Sequence, residues 1–521
     1  MSAHGPSPLR WGLSVFLVAF AVWAPSIAND FAWDDVNNLV DSDRLKSADA
    51  IFESFAHDAM WSANLPQAPV GTYRPLALAS FALDHLLFGP APWGYHLASV
   101  LWHALAATAF FAALRALGRG GSVTVLAAAL TAMVWAVWPT HVEAVAWING
   151  RSDIFVMLFG ALALVAACTP WRAAVRGAVV GAVLFVALLG KESALAWIVL
   201  APLLVGLARA PDRRVPFDWA TAAGGGIALI AWLAVRAAVL EGGPVTGVAL
   251  DLDAFTAAPA VLMRALQAWC VPVDLSLTHL FSFFTALTSF DRVAYAAALL
   301  AALAGLGCAW ARGHRAAALW LLFWLVAIAP VPLLVARDWP GLNRWLYLGG
   351  AGLVAAASAL LAPRFTQRGP QVALLCGVAL LLLQTQRAIV VWRDDVSLFT
   401  QMVEDQPDEP YGYVSLAVWL NRQGRYGDAA QVLDAAGHLR LRSATPWYLL
   451  ADVHALRGAC DEAVRIVAER AGTHARPPYQ LANTGLCFER RGDSEVAARF
   501  FRACATLHPA CSAGLERLNT R

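Results

Sequence analysis

Apolar runs of about 17–22 residues recur along this chain, each long enough to cross the ~30 Å hydrocarbon layer of a bilayer as a helix. That feature leaves few folds open. In lipid no water satisfies a stray N–H or C=O, so a run of this length pairs its backbone within itself. Composition points the same way: the 521 residues are 59% hydrophobic and 14% charged, where soluble domains average roughly 45–50% and 25%. The expected fold is all-α, a polytopic membrane helical bundle of about eleven spans. The runs lie at 11–28, 94–117, 123–139, 153–169, 173–190, 193–208, 219–239, 293–311, 316–335, 345–362 and 371–390.

The first run follows Arg10 and is read as an uncleaved span rather than a signal peptide. It is long and lacks a clean small-x-small site before Asn29. Counting onward, one set of short loops carries the basic residues: Arg115 and Arg119; Arg172 and Arg176; Arg209, Arg213 and Arg214; Arg312 and Arg315; Arg364 and Arg368. The positive-inside rule makes these loops cytoplasmic, with the N terminus, and sets the C terminus outside. A multi-pass protein of a bacterial inner membrane is expected. Many of the 22 tryptophans end apolar runs, among them Trp11, Trp138, Trp171, Trp219 and Trp345, where indoles anchor to the interface. The net charge of +2 gives no reason to expect a nucleic-acid partner. Two outer stretches are too short or too broken to cross. The first, 75–88, reads as a juxtamembrane or re-entrant helix; the second, 251–291, is interrupted by Pro272, Asp274 and His279.

Past Trp392 the character changes. Ala417, Ala451 and Gly485 recur at a spacing of 34 (451 − 417 and 485 − 451), and so do Gly424, Gly458 and Gly492, and Ala429, Ala463 and Ala497. Small residues at fixed places let the two helices of a hairpin approach, and a 34-residue period is that of tetratricopeptide repeats. The chain therefore divides into a membrane domain at 1–393, with an outer loop at 29–93, and three extracytoplasmic repeats at 394–521, a short C-terminal α-solenoid. Cys168, Cys270, Cys308 and Cys376 sit in or beside apolar runs and read as packing residues. Cys460, Cys487, Cys504 and Cys511 fall in the repeats on the oxidising side, where one or two disulfides are expected with no pairing preferred.

Candidate chemistry gathers on the outer face. Asp34 and Asp35 follow the first span; two adjacent carboxylates leaving a membrane face water, a cation or a reacting group. As a solvated loop or helix cap they would be inert. As chemistry, one is a general base while the other orients an acceptor or binds a divalent cation. His96 and His103, seven apart, share a helix face; His103 suits an interhelical hydrogen bond, and His96 could reach a substrate. The loop from Pro139 to Asp153 holds His141, Glu143, Arg151 and Asp153, too close for a two-histidine metalloprotease motif. Arg151 and Asp153 could simply pair with each other. Lys191, Glu192 and Arg344 lie at span ends, where snorkelling competes with phosphate binding.

These residues, in this order, resemble the transmembrane and tetratricopeptide-repeat O-mannosyltransferases, within the C-class of polytopic glycosyltransferases. The resemblance rests on Phe31-Ala32-Trp33-Asp34-Asp35, Tyr73-Arg74-Pro75-Leu76, Gly94-Tyr95-His96 with His103, and the 139–153 loop. It continues through Gly190-Lys191-Glu192, Arg344-Trp345-Leu346-Tyr347-Leu348 and Trp392 into the repeats. It implies an inverting transfer of a sugar, mannose or a similar hexose, from a polyprenyl-phosphate carrier to a protein Ser/Thr hydroxyl or a glycan on the extracytoplasmic face. Asp34 and Asp35 would be catalytic. Arg74, His96, His141, Glu143, Arg151, Asp153, Lys191, Glu192, Arg344 and Tyr347 would serve the substrate or its phosphate. No cofactor is implied beyond the divalent cation that Asp35 could hold. Arg344-Trp345 departs from the Arg-Tyr usual at that place, and the repeat array is short. A lipid or solute transporter would instead carry an internal pseudo-repeat and polar groups near the midplane; neither is evident. A membrane scaffold binding partners through its repeats leaves the Asp pair and the clustered cations without a role.

Overall fold

A computed structural model of the chain describes residues 7–519 except 64–70, 119–123, 213–215, 241–251, 273–286, 332–342, 362–367, 437–438, 440–444 and 471–476. Its regular elements, among the described residues, are all helical. Asp274 and His279 lie outside the described residues. The chain divides into two compact units, Met1–Asp394 and Asp395–Arg521.

In the first unit nine described helices are long and apolar enough to cross a membrane, and a bent pair, Val125–Ala136 with Pro139–Val145 at 57°, makes ten if counted as one span. The run at 123–139 breaks because Pro139 cannot continue the ladder of the helix before it. Within the run at 316–335 the described helix Arg315–Ile328 has 14 residues and stops before Pro330; 332–335 lie outside the described residues. Pro75–Phe88 is a 14-residue helix with its proline at the first position, as expected of a segment too short to cross.

The bundle closes through small residues. Helix Trp219–Val239 lies along Ala173–Gly190, and a Cβ on Gly224 would collide with the carbonyl of Gly177. Without a hydrophobic drive between helices in lipid, such close backbone approach is what packing can use. At the other flank Pro92–Leu117 packs on Arg151–Ala167, and Arg315–Ile328 on Asn343–Leu361. Asp218 caps helix Trp219–Val239 by accepting from Thr221 N–H at 2.9 Å and pairs with Arg176 at 3.1 Å. Trp171 and Trp219 are exposed, as anchors should be, whereas Trp138 stacks on Trp269 with ring centroids 3.9 Å apart.

In the second unit helical hairpins follow one another: Pro410–Arg422 with Tyr426–Ala435, Thr445–Leu456 with Cys460–Arg470, and Pro478–Arg491 with Ser494–Cys504. The 34-residue register falls on equivalent places. Ala417, Ala451, Ala429, Ala463 and Ala497 are fully buried, and Gly424, Gly458 and Gly492 all take positive φ, at 74°, 86° and 94°. Each glycine turns the chain between the two helices of its hairpin, a conformation a side chain would strain. Two disulfides staple this unit, Cys460–Cys487 and Cys504–Cys511, while Cys168, Cys270, Cys308 and Cys376 of the first unit form no disulfide.

Candidate functional site

The first outer loop leaves its helix pinned to the end of the last apolar one. Asn29 donates from Nδ2 to the carbonyls of Ile389 (3.2 Å) and Trp392 (3.1 Å), and Asp30 N–H to that of Arg393 (2.8 Å). Phe31, Leu39, Leu45 and Phe81 form a small core under the loop with Tyr95 and Ile148. Trp33 then takes φ of +57°, in the left-handed region that bulky residues rarely enter. Its indole stacks on Trp147, centroids 4.9 Å apart, and tilts against Trp392 at 6.2 Å. Strain of this kind persists only where the surroundings over-determine it, and it collects at functional sites.

The reversal at Trp33 begins the turn that carries both carboxylates and gives them different surroundings. Asp35 is fully buried: Oδ1 accepts from Asn149 N–H (3.1 Å) and Nδ2 (2.7 Å), and Oδ2 from Ala32 N–H (3.3 Å). Burial pushes its carboxyl up to about 8, against the downward pull of the Ala32 and Asn149 donors. Asp34 is partly exposed. Burial raises its carboxyl too, and the charge of Arg344 draws it back. One group is fixed by its bonds; the other keeps partial exposure.

Arg344 acts on Asp34, and Lys191 and Arg74 lie in the field of Arg344. Lys191 holds both oxygens of Asp153 at 2.8 Å, with burial pushing its ammonium down and Asp153 holding it up. Arg74 pairs with Glu192 at 2.8 Å. The Arg344 guanidinium lies over the rings of Trp147 (5.2 Å) and Trp345 (5.5 Å), in the field of Glu143, Asp153, Arg74 and Asp34. Glu143 stands behind Arg344: Oε1 accepts from Asn343 Nδ2 at 2.8 Å, and Oε2 from the Arg344 N–H at 3.2 Å. A carboxylate here satisfies otherwise open donors at the start of helix Asn343–Leu361 and suits its dipole. The loop folds tightly enough that a Cβ on Gly150 would strike the Glu143 carbonyl. Asp34, Arg74, Asp153, Lys191, Glu192 and Arg344 thus form one electrostatic group.

Four sequence expectations are corrected. Arg151 pairs with Asp84 rather than Asp153 and turns into the bundle. It is fully buried, ion-paired with Asp84 at 2.5 Å and bonded to Ser99 Oγ, Ser80 Oγ and the Tyr95 carbonyl. His96 does not reach outward; it is buried with Nε2 3.2 Å from the Asp30 carbonyl. His141 is buried in an aromatic cluster with Trp135 and Tyr347. Tyr347 is buried as well. The Ala136 carbonyl accepts from His103 Nε2 (3.0 Å), so Nδ1 is the acceptor of the Tyr347 hydroxyl at 2.8 Å. His103 therefore makes the interhelical bond expected of it. Both oxygens of Asp35 accept from N–H donors.

Sequence reasoning passed over Asp84, Asn149 and Asn343. Asp84 carried a readable signal, because a lone carboxylate in the apolar helix Pro75–Phe88 requires a buried partner. Asn149 and Asn343 adjoin residues that were noted, but nothing local marks an amide as the partner of a distant carboxylate.

No family model matches the chain, and no solved structure matches it. Curated relatives do. Protein O-mannosyl-transferase TMTC2 of Mus musculus is 32% identical over 147 residues, 28% of this chain and 17% of the relative. Protein O-mannosyl-transferase TMTC4 of Homo sapiens is 30% identical over 176 residues, 32% of this chain and 24% of the relative. Protein O-mannosyl-transferase Tmtc1 of Drosophila melanogaster is 30% identical over 137 residues, 26% of this chain and 16% of the relative. The chain spans only 16–24% of the length of these three relatives. Over that part, about a quarter to a third of its own length, this helical membrane protein is similar to the TMTC protein O-mannosyl-transferases.

Proposed function

We propose that this protein is an inverting glycosyltransferase that moves mannose, or a similar hexose, from a polyprenyl-phosphate carrier to a hydroxyl of a protein or glycan outside the cytoplasm. The observation that carries the reading is the part-exposed carboxyl of Asp34 beside Arg344, with Lys191 and Arg74 in the same group. The acceptor hydroxyl attacks the anomeric carbon from the face opposite the carrier. A carbon–oxygen bond forms there as the bond to the phosphate oxygen breaks, and Asp34 takes the hydroxyl proton. A base with a raised pKa is better matched to that transfer near neutral pH. The departing lipid phosphate carries the negative charge; Arg344, Lys191 and Arg74, already fixed by carboxylates and indoles, meet it without reorganising.

Asp35 acts through position: its bonds to Asn149 and Ala32 hold the turn that aims Asp34. The name of the matched relatives supplies the mannose and the protein hydroxyl. Purified protein in lipid, given radiolabelled polyprenyl-phosphate mannose and a Ser/Thr peptide, should label the peptide with inversion at the anomeric carbon. Absence of transfer to peptide or glycan acceptors from every lipid-linked hexose tried would overturn the reading.

A further inference from the structure

Away from the loop site, the repeats hold a buried carboxylate with no cation beside it among the described residues. Asp452 lies in Thr445–Leu456, the first helix of the second hairpin, and is 4% exposed. Its polar neighbours come from the first helices of the hairpins on either side. Asn483 donates from Nδ2 to Oδ1 at 2.5 Å, and Asn421 also bonds the carboxyl. The row thus crosses three successive repeats, whose first helices pack side by side.

The repeat itself does not call for this residue. In the 34-residue register the places equivalent to 452 hold Val418 and Leu486. A buried carboxylate without a counter-charge is costly, and an apolar side chain is the usual choice where packing alone is at stake. Burial pushes the Asp452 carboxyl up to about 6, opposed only by the two carboxamides. Tyr479, 38% exposed, stands within its field, with Tyr448 beside Tyr479, and aromatic faces attract cations. Gln480, wholly buried, is one turn from Asn483 on the same helix, and its Oε1 has no partner. Acceptors therefore outnumber donors along the row, which is what a ligand rich in N–H groups would complete.

We propose that Asp452, with Asn421, Asn483, Tyr448 and Tyr479, is a docking site for an extended polypeptide, taking a lysine or arginine side chain at the carboxylate and main-chain amides at the carboxamides. The site assigns a class to the acceptor, a polypeptide with a basic residue near its hydroxyl, and to that extent rests on the transfer reading above. Binding itself needs no turnover.

The test uses the full chain in lipid nanodiscs and fluorescence anisotropy of a labelled Ser/Thr peptide with one central lysine, alongside the same peptide with that lysine acetylated. Wild type should prefer the lysine peptide by at least ~10-fold, the lower range for a hydrogen bond to a charged group. Asp452→Asn should lose that preference without melting earlier than wild type at neutral pH, since a merely structural aspartate would melt earlier when changed. Equal binding of both peptides by wild type, or an undiminished preference in Asp452→Asn, overturns the proposal. Should Asp452→Asn fold poorly, Tyr479→Leu at the open edge decides: a preference cut about threefold or more supports the site, and one left intact overturns it. A protein that prefers the lysine peptide yet never turns over a lipid-linked sugar keeps the docking site and loses the transfer reading.

Discussion

Glu143 accepts the main-chain N–H of Arg344 at 3.2 Å, so the loop before one apolar helix closes the start of another 201 residues further on. The bond places the Arg344 backbone, and its guanidinium then rests on Trp147. Glu143→Ala leaves Asn343 and Arg344 donors open in a buried place, a loss of about 1–3 kcal/mol, and frees Arg344 to drift. Donor KM should rise and kcat fall together, while Glu143→Gln, which keeps one acceptor, should be milder. Steady-state kinetics on protein corrected for folded yield checks this.

Arg151 and Asp84 should behave as structure. Removing one partner of a buried pair costs about 3–5 kcal/mol, because the other charge is stranded. Asp84→Ala and Arg151→Met are each expected to cut the yield of folded, detergent-stable protein sharply, with any surviving fraction keeping a near-normal donor KM. A folded Arg151→Met with a greatly raised KM would return Arg151 to the phosphate site.

Disulfides persist in an oxidising compartment, so Cys460–Cys487 and Cys504–Cys511 test the extracytoplasmic reading of the repeats. Chain-entropy reasoning gives about 3.5 kcal/mol for a loop of 27 residues and about 2.4 for one of 7. Thiol labelling of unreduced, denatured protein should therefore modify Cys168, Cys270, Cys308 and Cys376 alone, and reductant should lower the melting temperature of the repeat unit. Eight labelled cysteines in freshly isolated membranes would put the repeats on the reducing side.

Asp452 gives the repeats a pH dependence. Its carboxyl moves from 3.8 to about 6 on folding, so between those values the folded chain holds a proton that the unfolded chain has released. Stability then falls as pH rises through that window, and the cost, about 3 kcal/mol, stands in full above it. Asp452→Asn should flatten this part of the profile in thermal melts of the repeat unit from acid to neutral pH. A stability that rises over the same window would contradict the assignment.

Much of this was legible in the residues, and what was not has physical causes. Apolar length announces a helix without saying whether it runs straight, so Pro139 bends one expected span and Pro330 follows the early end of another. Periodicity fixed the repeats because identical steric needs recur at Gly424, Gly458 and Gly492. Asp34 and Asp35 stood out by adjacency, yet only the reversal at Trp33 separates their surroundings. The burial of Arg151, His141 and Tyr347 was not legible for a common reason: a polar side chain at a span end looks the same in sequence whether it points to the outside or into the bundle.

The central claim is that Asp34 takes the acceptor proton, and Asp34→Asn tests it most directly. The change keeps size and much of the hydrogen bonding while removing the base. Turnover per folded, inserted molecule should fall at least ~10²-fold, the lower range for general-base catalysis, with donor binding little altered because Arg344, Lys191 and Arg74 remain. Asp35→Asn, which loses an acceptor for Asn149 or Ala32 but leaves Asp34 in place, should lose less. Near-normal turnover in Asp34→Asn, after correction for folded protein, would contradict the account.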